Sequence, residues 1–154
     1  WQAPGHTTGK SGLGGVVEAV GGRNIAAGVV PGAIGDVSVE YVLTADPDVY
    51  IATGNRNPGV LLGAGVDEKT ARDSLAKITA RPEFAPLRPI RDGQAHGLWH
   101  DFYNSPFNIL AIESMARWIH PERFADLDPQ ATQAEINRFL AVGLDGHYWI
   151  DATP

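Results

Sequence analysis

The apolar positions of this chain alternate between helix-length and strand-length patterns, which predicts an α/β fold. The clearest run is 35–55, GDVSVEYVLTADPDVYIATGN. Val39, Val42 and Leu43 recur at helical spacing, which predicts one buried helix face, and the side chain of Ser38 is placed to cap that helix. Asp46-Pro47 stops it, because the residue before proline is pushed out of the α region. The apolar run 49–52 suits a short parallel strand covered on both faces. Thr53-Gly54-Asn55 closes that strand in the kind of loop where open α/β sheets bind ligands.

The same patterning predicts the remaining elements. Trp1-Gln2 reads as the end of a strand, and 3–10 as a loop of turn formers. Ser11 is placed to cap a helix through Val20, with Val16, Val17 and Val20 inward and Gly21-Gly22 as its stop. Residues 28–36 read as a Gly/Pro-containing connection and 58–65 as a Gly-rich apolar loop. Asp67 caps a helix to about Ala80, with Val66 and Ala71 as a hydrophobic staple and Ala71, Leu75 and Ile78 facing inward. Pro82, Pro86 and Pro89 break further helix, leaving 87–90 as a short strand. Asp92-Gly93 turns the chain into a strand over 94–99. Ser105-Pro106 opens an amphipathic helix ending at His120-Pro121, with Ile109, Ile112, Ala116 and Ile119 inward beside Leu110 and Met115. Asp128-Pro129 starts a last helix with Ile136, Phe139 and Leu140 inward. No role is assigned to 143–151.

Composition narrows the function classes. The 154 residues suffice for one domain with a real core, and 44% hydrophobic with 19% charged residues is ordinary for a globular chain. A net charge of −6 lacks the basic footprint of nucleic-acid binding. There is no cysteine, so disulfides, thiolate metal sites and a cysteine nucleophile are excluded. No apolar run approaches membrane-spanning length, so no membrane insertion is expected of this segment.

Two phrases carry a family resemblance. VSVEYVLTADPDVYIATG resembles the helix–PD–strand signature of periplasmic substrate-binding proteins of the ferric-siderophore, haem and cobalamin class, which serve ABC importers. FYNSPFNILAIESMARWIHPERFADLDP is similar to their aromatic loop, SP, helix and closing hP-x-x-F phrase. GLGGVVEAVGGRNIAA resembles the element with GG-x-N that precedes the signature helix, and FAPLRPIRDGQAHGL their passage into the last major strand. The resemblance covers roughly residues 1–142. It implies a Rossmann-like three-layer lobe, with a central, mainly parallel sheet and helices on both faces. The chain opens WQAPGH, without initiator Met or signal-peptide core. It is therefore expected to be the C-terminal lobe, over 1–154, of a longer exported protein. The signal, the N-terminal lobe and a linking helix would lie outside it. The location implied is periplasmic or extracytoplasmic.

The candidate sites follow from these loops. The resemblance places the loop after the first strand at the ligand cleft, making His6, Thr7, Thr8 and Lys10 candidate contacts. Trp1, Gln2, Asn55 and Arg56 lie at inferred strand ends, where Arg56 is suited to carboxylates of a ferric chelate. His100, Phe102, Tyr103 and Asn104 form the strongest candidate set: an aromatic pair covers a planar ligand while Tyr103 and Asn104 supply hydrogen bonds. Phe102 is equally well placed as a core residue. Glu40 takes the place of the glutamate that faces the permease in the resembled family, although a carboxylate in a first helical turn is also favourable in itself.

Other chemistry is weaker. A phosphate loop needs G-x-x-x-x-G-K-[ST], and counting back from Gly9 puts Pro4 where the first glycine belongs. A phosphate- or nucleotide-binding enzyme using 5–11 is the alternative reading. His96 and His100 have the spacing of a metal pair but no third ligand, and read better as two surface or strand-end histidines. No nucleophile elbow or catalytic carboxylate pair is recognisable, so the expected role is non-enzymatic, with no intrinsic cofactor. The expected cargo is an iron chelate (siderophore, ferric citrate or haem) or a corrinoid, with iron present only inside it. The expected partner is the importer's permease. A lone lobe offers half a cleft, so weak binding and self-association are expected of it.

Overall fold

The computed structural model describes residues 5–55 and 59–151. The readings on Trp1, Gln2 and Arg56 lie outside the described residues.

In chain order, β1 (His6–Thr8) leads through α1 (Leu13–Ala19) to β2 (Ile34–Asp36), α2 (Val39–Ala45) and β3 (Tyr50–Gly54). Then come β4 (Gly63–Ala64), α3 (Glu68–Thr79), α4 (Arg88–Arg91) and β5 (Ala95–Trp99). A 3-10 turn (His100–Asn104), α5 (Ile109–Ile119), α6 (Pro129–Asn137), β6 (Gly146–His147) and β7 (Trp149–Ile150) complete the order. The central sheet runs β3-β5-β7. β3 and β5 are parallel, with Tyr50 opposite Ala95 and Gly54 opposite Trp99. β7 is antiparallel to β5, with Ile150 opposite Gly97. β1–β2 and β4–β6 are separate antiparallel ladders.

Helices cover both faces of this sheet, as expected for an α/β lobe. On one face Leu13 of α1 and Leu110, Met115 and Trp118 of α5 pack with Leu98, Phe102 and Trp149. On the other, Ala71 and Leu75 of α3 pack with Ala52, Val60, Leu62 and Ile150. Gly97 stands between β7 and the loop at 60–62, where an added Cβ would lie 3.1 Å from Ile150 Cδ1 and 3.3 Å from Val60 Cγ1. A side chain there would force the Ile150 and Val60 side chains to give by a few tenths of an ångström in a packed interior.

Several local signals act as read. Ser38 Oγ accepts from the Tyr41 N–H at 3.1 Å, and Asp67 Oδ1 accepts from the Thr70 N–H at 2.8 Å. Asp128 Oδ1 accepts from the Gln130 N–H at 3.0 Å, ahead of Pro129 in the first turn of α6. The Gly22 N–H bonds Val17 O and the Gly21 N–H bonds Glu18 O. With Gly21 left-handed at φ 83, this is the Schellman closure of α1.

Other expectations are corrected. Ser11 does not cap α1; Gly12 occupies the cap at φ 59, with no side-chain bond. Leu13 is the buried anchor of α1, while Val16, Val17 and Val20 are half-buried against the same cluster. The connection 28–36 contains β2, whose backbone pairs with β1. Residues 87–90 form no strand: Pro89 has no N–H for a ladder, and its fixed φ suits the second position of α4. α5 starts later than Ser105-Pro106, because Ser105 Oγ accepts from the Phe107 N–H in a turn first. Its buried side is Leu110, Ala111, Ser114, Met115, Ala116 and Trp118, leaving Ile109 exposed. Leu43 and Phe139 also point outward. The unassigned tail proves structural: it supplies β6 and β7, and Tyr148, Trp149 and Ile150 are buried.

Candidate ligand-binding site

The carboxyl ends of β3 and β5 and the β1–β2 ladder meet at one rim. The parallel register sets Gly54 level with Trp99, so the residues just before and after these positions face each other. Thr53 Oγ1 lies 3.2 Å from His100 Nδ1. Asn55 Nδ2 donates to Asp101 Oδ2 at 2.9 Å, tying the two strand-end loops together. The His100 ring meets the Tyr103 ring edge-on, with centroids 5.3 Å apart. On β1, His6 Nδ1 lies 2.8 Å from Asp36 Oδ1 on β2. Asn24 Nδ2 donates to the carbonyls of Thr8 and Gly9 at 2.9 and 2.8 Å, fixing the end of β1 against the α1–β2 connection.

His6, Thr7, Thr8 and His100, predicted from different loops, border one cavity of about 220 Å³ together with Thr53. Its floor is apolar, with Val42, Tyr50, Ile78, Phe84 and Leu87. Burial pushes the Tyr50 phenol up to about 12, against the opposing charge of Arg81, whose guanidinium-bearing side chain also lines the cavity. Lys10 is exposed and Asn55 half-buried; neither lines the cavity. Tyr103 is half exposed and Asn104 exposed, also outside it.

Phe102 is the clear departure. It is fully buried, packs edge-on against Trp99 at 5.2 Å and belongs to the core beneath the rim, so Tyr103 alone of the pair is presented outward. His96 also departs from a surface or strand-end placement. It is 5% exposed, stacked on Trp118 with centroids 4.4 Å apart, and burial pushes its pKa down to about 4. His100 lies beyond β5 in the 3-10 turn, so the two histidines share no strand face. Among the described residues no cluster of three or more His, Asp or Glu is placed to hold a metal.

Sequence reasoning missed Thr53 and Asp36 as the partners of His100 and His6. Asn24 was visible within GG-x-N, but its grip on two carbonyls of the β1 end was not. The rim offers hydroxyls, imidazoles, a phenol and amides over a mainly apolar floor that also carries Arg81, a set suited to hydrogen-bonded capture of an organic ligand. The loop 5–11 forms no phosphate cradle of the P-loop kind, since the Gly9 N–H donates to Ala33 O at 2.9 Å. Glu40 lies outside the rim, exposed in the first turn of α2. Hydrogen bonds from its own backbone N–H and from Ser38 hold its carboxyl below the usual range, so it is a stable anion at neutral pH.

A crystal structure of the TroA-like periplasmic binding protein FepB from Veillonella parvula matches 95% of this chain with a TM-score of 0.86, at 22% identity. The fold is that of TroA-like periplasmic binding proteins. A crystal structure of CeuE from Helicobacter pylori, a nickel–histidine complex, matches 90% with a TM-score of 0.65, at 19% identity. The chain spans 43% of the FepB chain and 45% of the CeuE chain. No protein-family model and no curated protein matches it.

Proposed function

We propose that this chain is the C-terminal lobe of a periplasmic substrate-binding protein. It would capture an iron chelate or a corrinoid between two lobes and deliver it to the permease of an ABC importer. The observation that carries this reading is the FepB-like fold over 95% of the chain, with the polar rim at the carboxyl ends of β3 and β5. The CeuE structure is a nickel–histidine complex, which supports chelated metal as the cargo class. The rim binds without covalent chemistry: hydroxyl, imidazole and phenol groups bond the chelator, and the metal keeps the chelator's ligands. Trp1, Gln2 and Arg56 remain proposed contacts, and Glu40 the proposed permease anchor.

The test is ligand-induced fluorescence quenching of the full-length protein by ferric siderophores, ferric citrate, haem and cobalamin, with ATP as the opposing probe. Saturable quenching by one chelate or corrinoid, greatly weakened in the 154-residue chain, is the expected result. Binding of ATP alone, by both, overturns it in favour of a nucleotide-binding protein.

A further inference from the structure

We infer that Arg88 is the positioning residue for α2, the helix that carries Glu40; the functional half of this inference rests on the importer reading. α2 is two turns long and buries no side chain completely. Its half-buried residues Val39 and Val42 border cavities. Val39 and Val42 both line the 220 Å³ cavity, and Val42 also lines a second cavity of about 460 Å³ between α1, α5 and β3. Close packing is what normally fixes the attitude of a helix on a sheet. Here that constraint is weak, and polar ties take its place.

Polar ties hold α2 at both of its ends. The Tyr41 hydroxyl donates to Ile25 O at 2.7 Å near the amino end. At the carboxyl end, Arg88 Nε donates to both Asp46 carboxylate oxygens at 3.1 and 3.2 Å. Arg88 Nη2 donates to Asp46 O at 2.9 Å and to Asp48 Oδ1 at 2.8 Å. One guanidinium therefore grips the cap residue by side chain and backbone and spans Pro47 to the entry of β3. Asp46 is the only non-glycine among the described residues with positive φ, at 42°, a conformation that needs outside support. Arg88 is itself fixed, since Leu87 and Pro89 on either side are buried.

The clamp acts through geometry more than through stability. Asp48 is 86% and Asp46 60% exposed, and ion pairs so open to solvent contribute little to folding. What the fork supplies is direction, which a lysine ammonium does not reproduce. Arg88 thus sets how far α2 stands from the sheet, and so where Glu40 is offered to a basic partner surface.

The experiment compares R88A and R88K with the parent in two readouts. Amide exchange at Val42 and Asp46 reports α2, with Ala71 and Ala80 of α3 as the internal control. Affinity for the permease and for the chelate is then measured in the full-length protein, alongside E40A. Faster α2 exchange and weaker docking in both variants, at unchanged chelate affinity and α3 protection, is the expected outcome. Unchanged α2 exchange in R88A overturns the inference, as does full rescue by R88K, which would leave charge alone as the cause. Faster exchange with normal docking also overturns it if E40A docks weakly. If E40A docks normally too, the fault lies with the docking role of Glu40, and the functional half falls with it.

Discussion

His96 and Trp118 stack face to face, 12° from parallel, with the Trp118 indole N–H donating to the Asp151 carboxylate. This joins the middle of β5 to α5 and to the end of β7. Burial holds the imidazole neutral, with a pKa of about 4 that the Asp151 charge only partly raises. In the unfolded chain the same group titrates at about 6.5. As pH falls, the unfolded state takes up the proton first, so stability is complete above about 6.5 and is lost between there and about 4. The loss approaches 3 kcal/mol, roughly, at the low end. Urea titrations across this window should show the slope, and H96Q should flatten it. An unchanged slope in H96Q would place the acid sensitivity in other groups.

Phe102 and Tyr103 are adjacent in sequence and opposite in role. F102A removes a fully buried ring from the main core and should cost about 3–5 kcal/mol. Y103A truncates a half-exposed ring and should stay within about 0.5 kcal/mol of the parent. In the full-length protein Y103A should weaken chelate binding at unchanged thermal midpoint. Denaturation and fluorescence titration of the same two variants check both statements, and a strongly destabilised Y103A would contradict the placement.

Gly54 ends β3 where the chain doubles back at Val60. A Cβ added there would lie 2.4 Å from Val60 O, a backbone atom that cannot move aside alone. G54A should therefore destabilise by about 1–3 kcal/mol, through overpacking of the strand end beneath the rim. A denaturant midpoint equal to the parent's would show that the loop after Gly54 yields freely.

The legible parts of the fold were those with a local cause. Ser38, Asp67 and Asp128 cap helices by reaching amides two or three residues away, and Gly21-Gly22 closes α1 with bonds back to its own last turn. Strand β3 was visible in DPDVYIATGN for the same reason. The parts that stayed hidden depend on distant partners. β2 exists because β1 lies across from it, and β7 because β5 offers an edge; GVVPGAIGD does not show the first, nor GLDGHYWID the second. At the rim, the residue types were readable, but the pairings Thr53–His100 and His6–Asp36 join positions 47 and 30 residues apart. On α5 the expectation holds for Leu110, Met115 and Ala116 and fails at Ile109, because the apolar run 109–112 fits helical spacing on more than one face. Only the sheet decides that Leu110 and Met115 are covered while Ile109 is not.

Two of the caps should behave differently when removed, because their helices are anchored differently. Asp67 caps α3, whose Ala71 and Leu75 are buried in the second core cluster, with Val66 packed against it from outside the helix. Fraying at this end disturbs residues that hold the sheet, so D67A should lower the global midpoint by about 2–4 °C. Ser38 caps α2, which contributes no fully buried side chain. Its loss should be absorbed locally: S38A should speed exchange of the Tyr41 and Val42 amides while the midpoint moves by less than in D67A. The measurement is a thermal melt with residue-resolved exchange on both variants. Equal midpoint losses would show that α2 is coupled to the core as tightly as α3, and that the cavities beneath it do not loosen it.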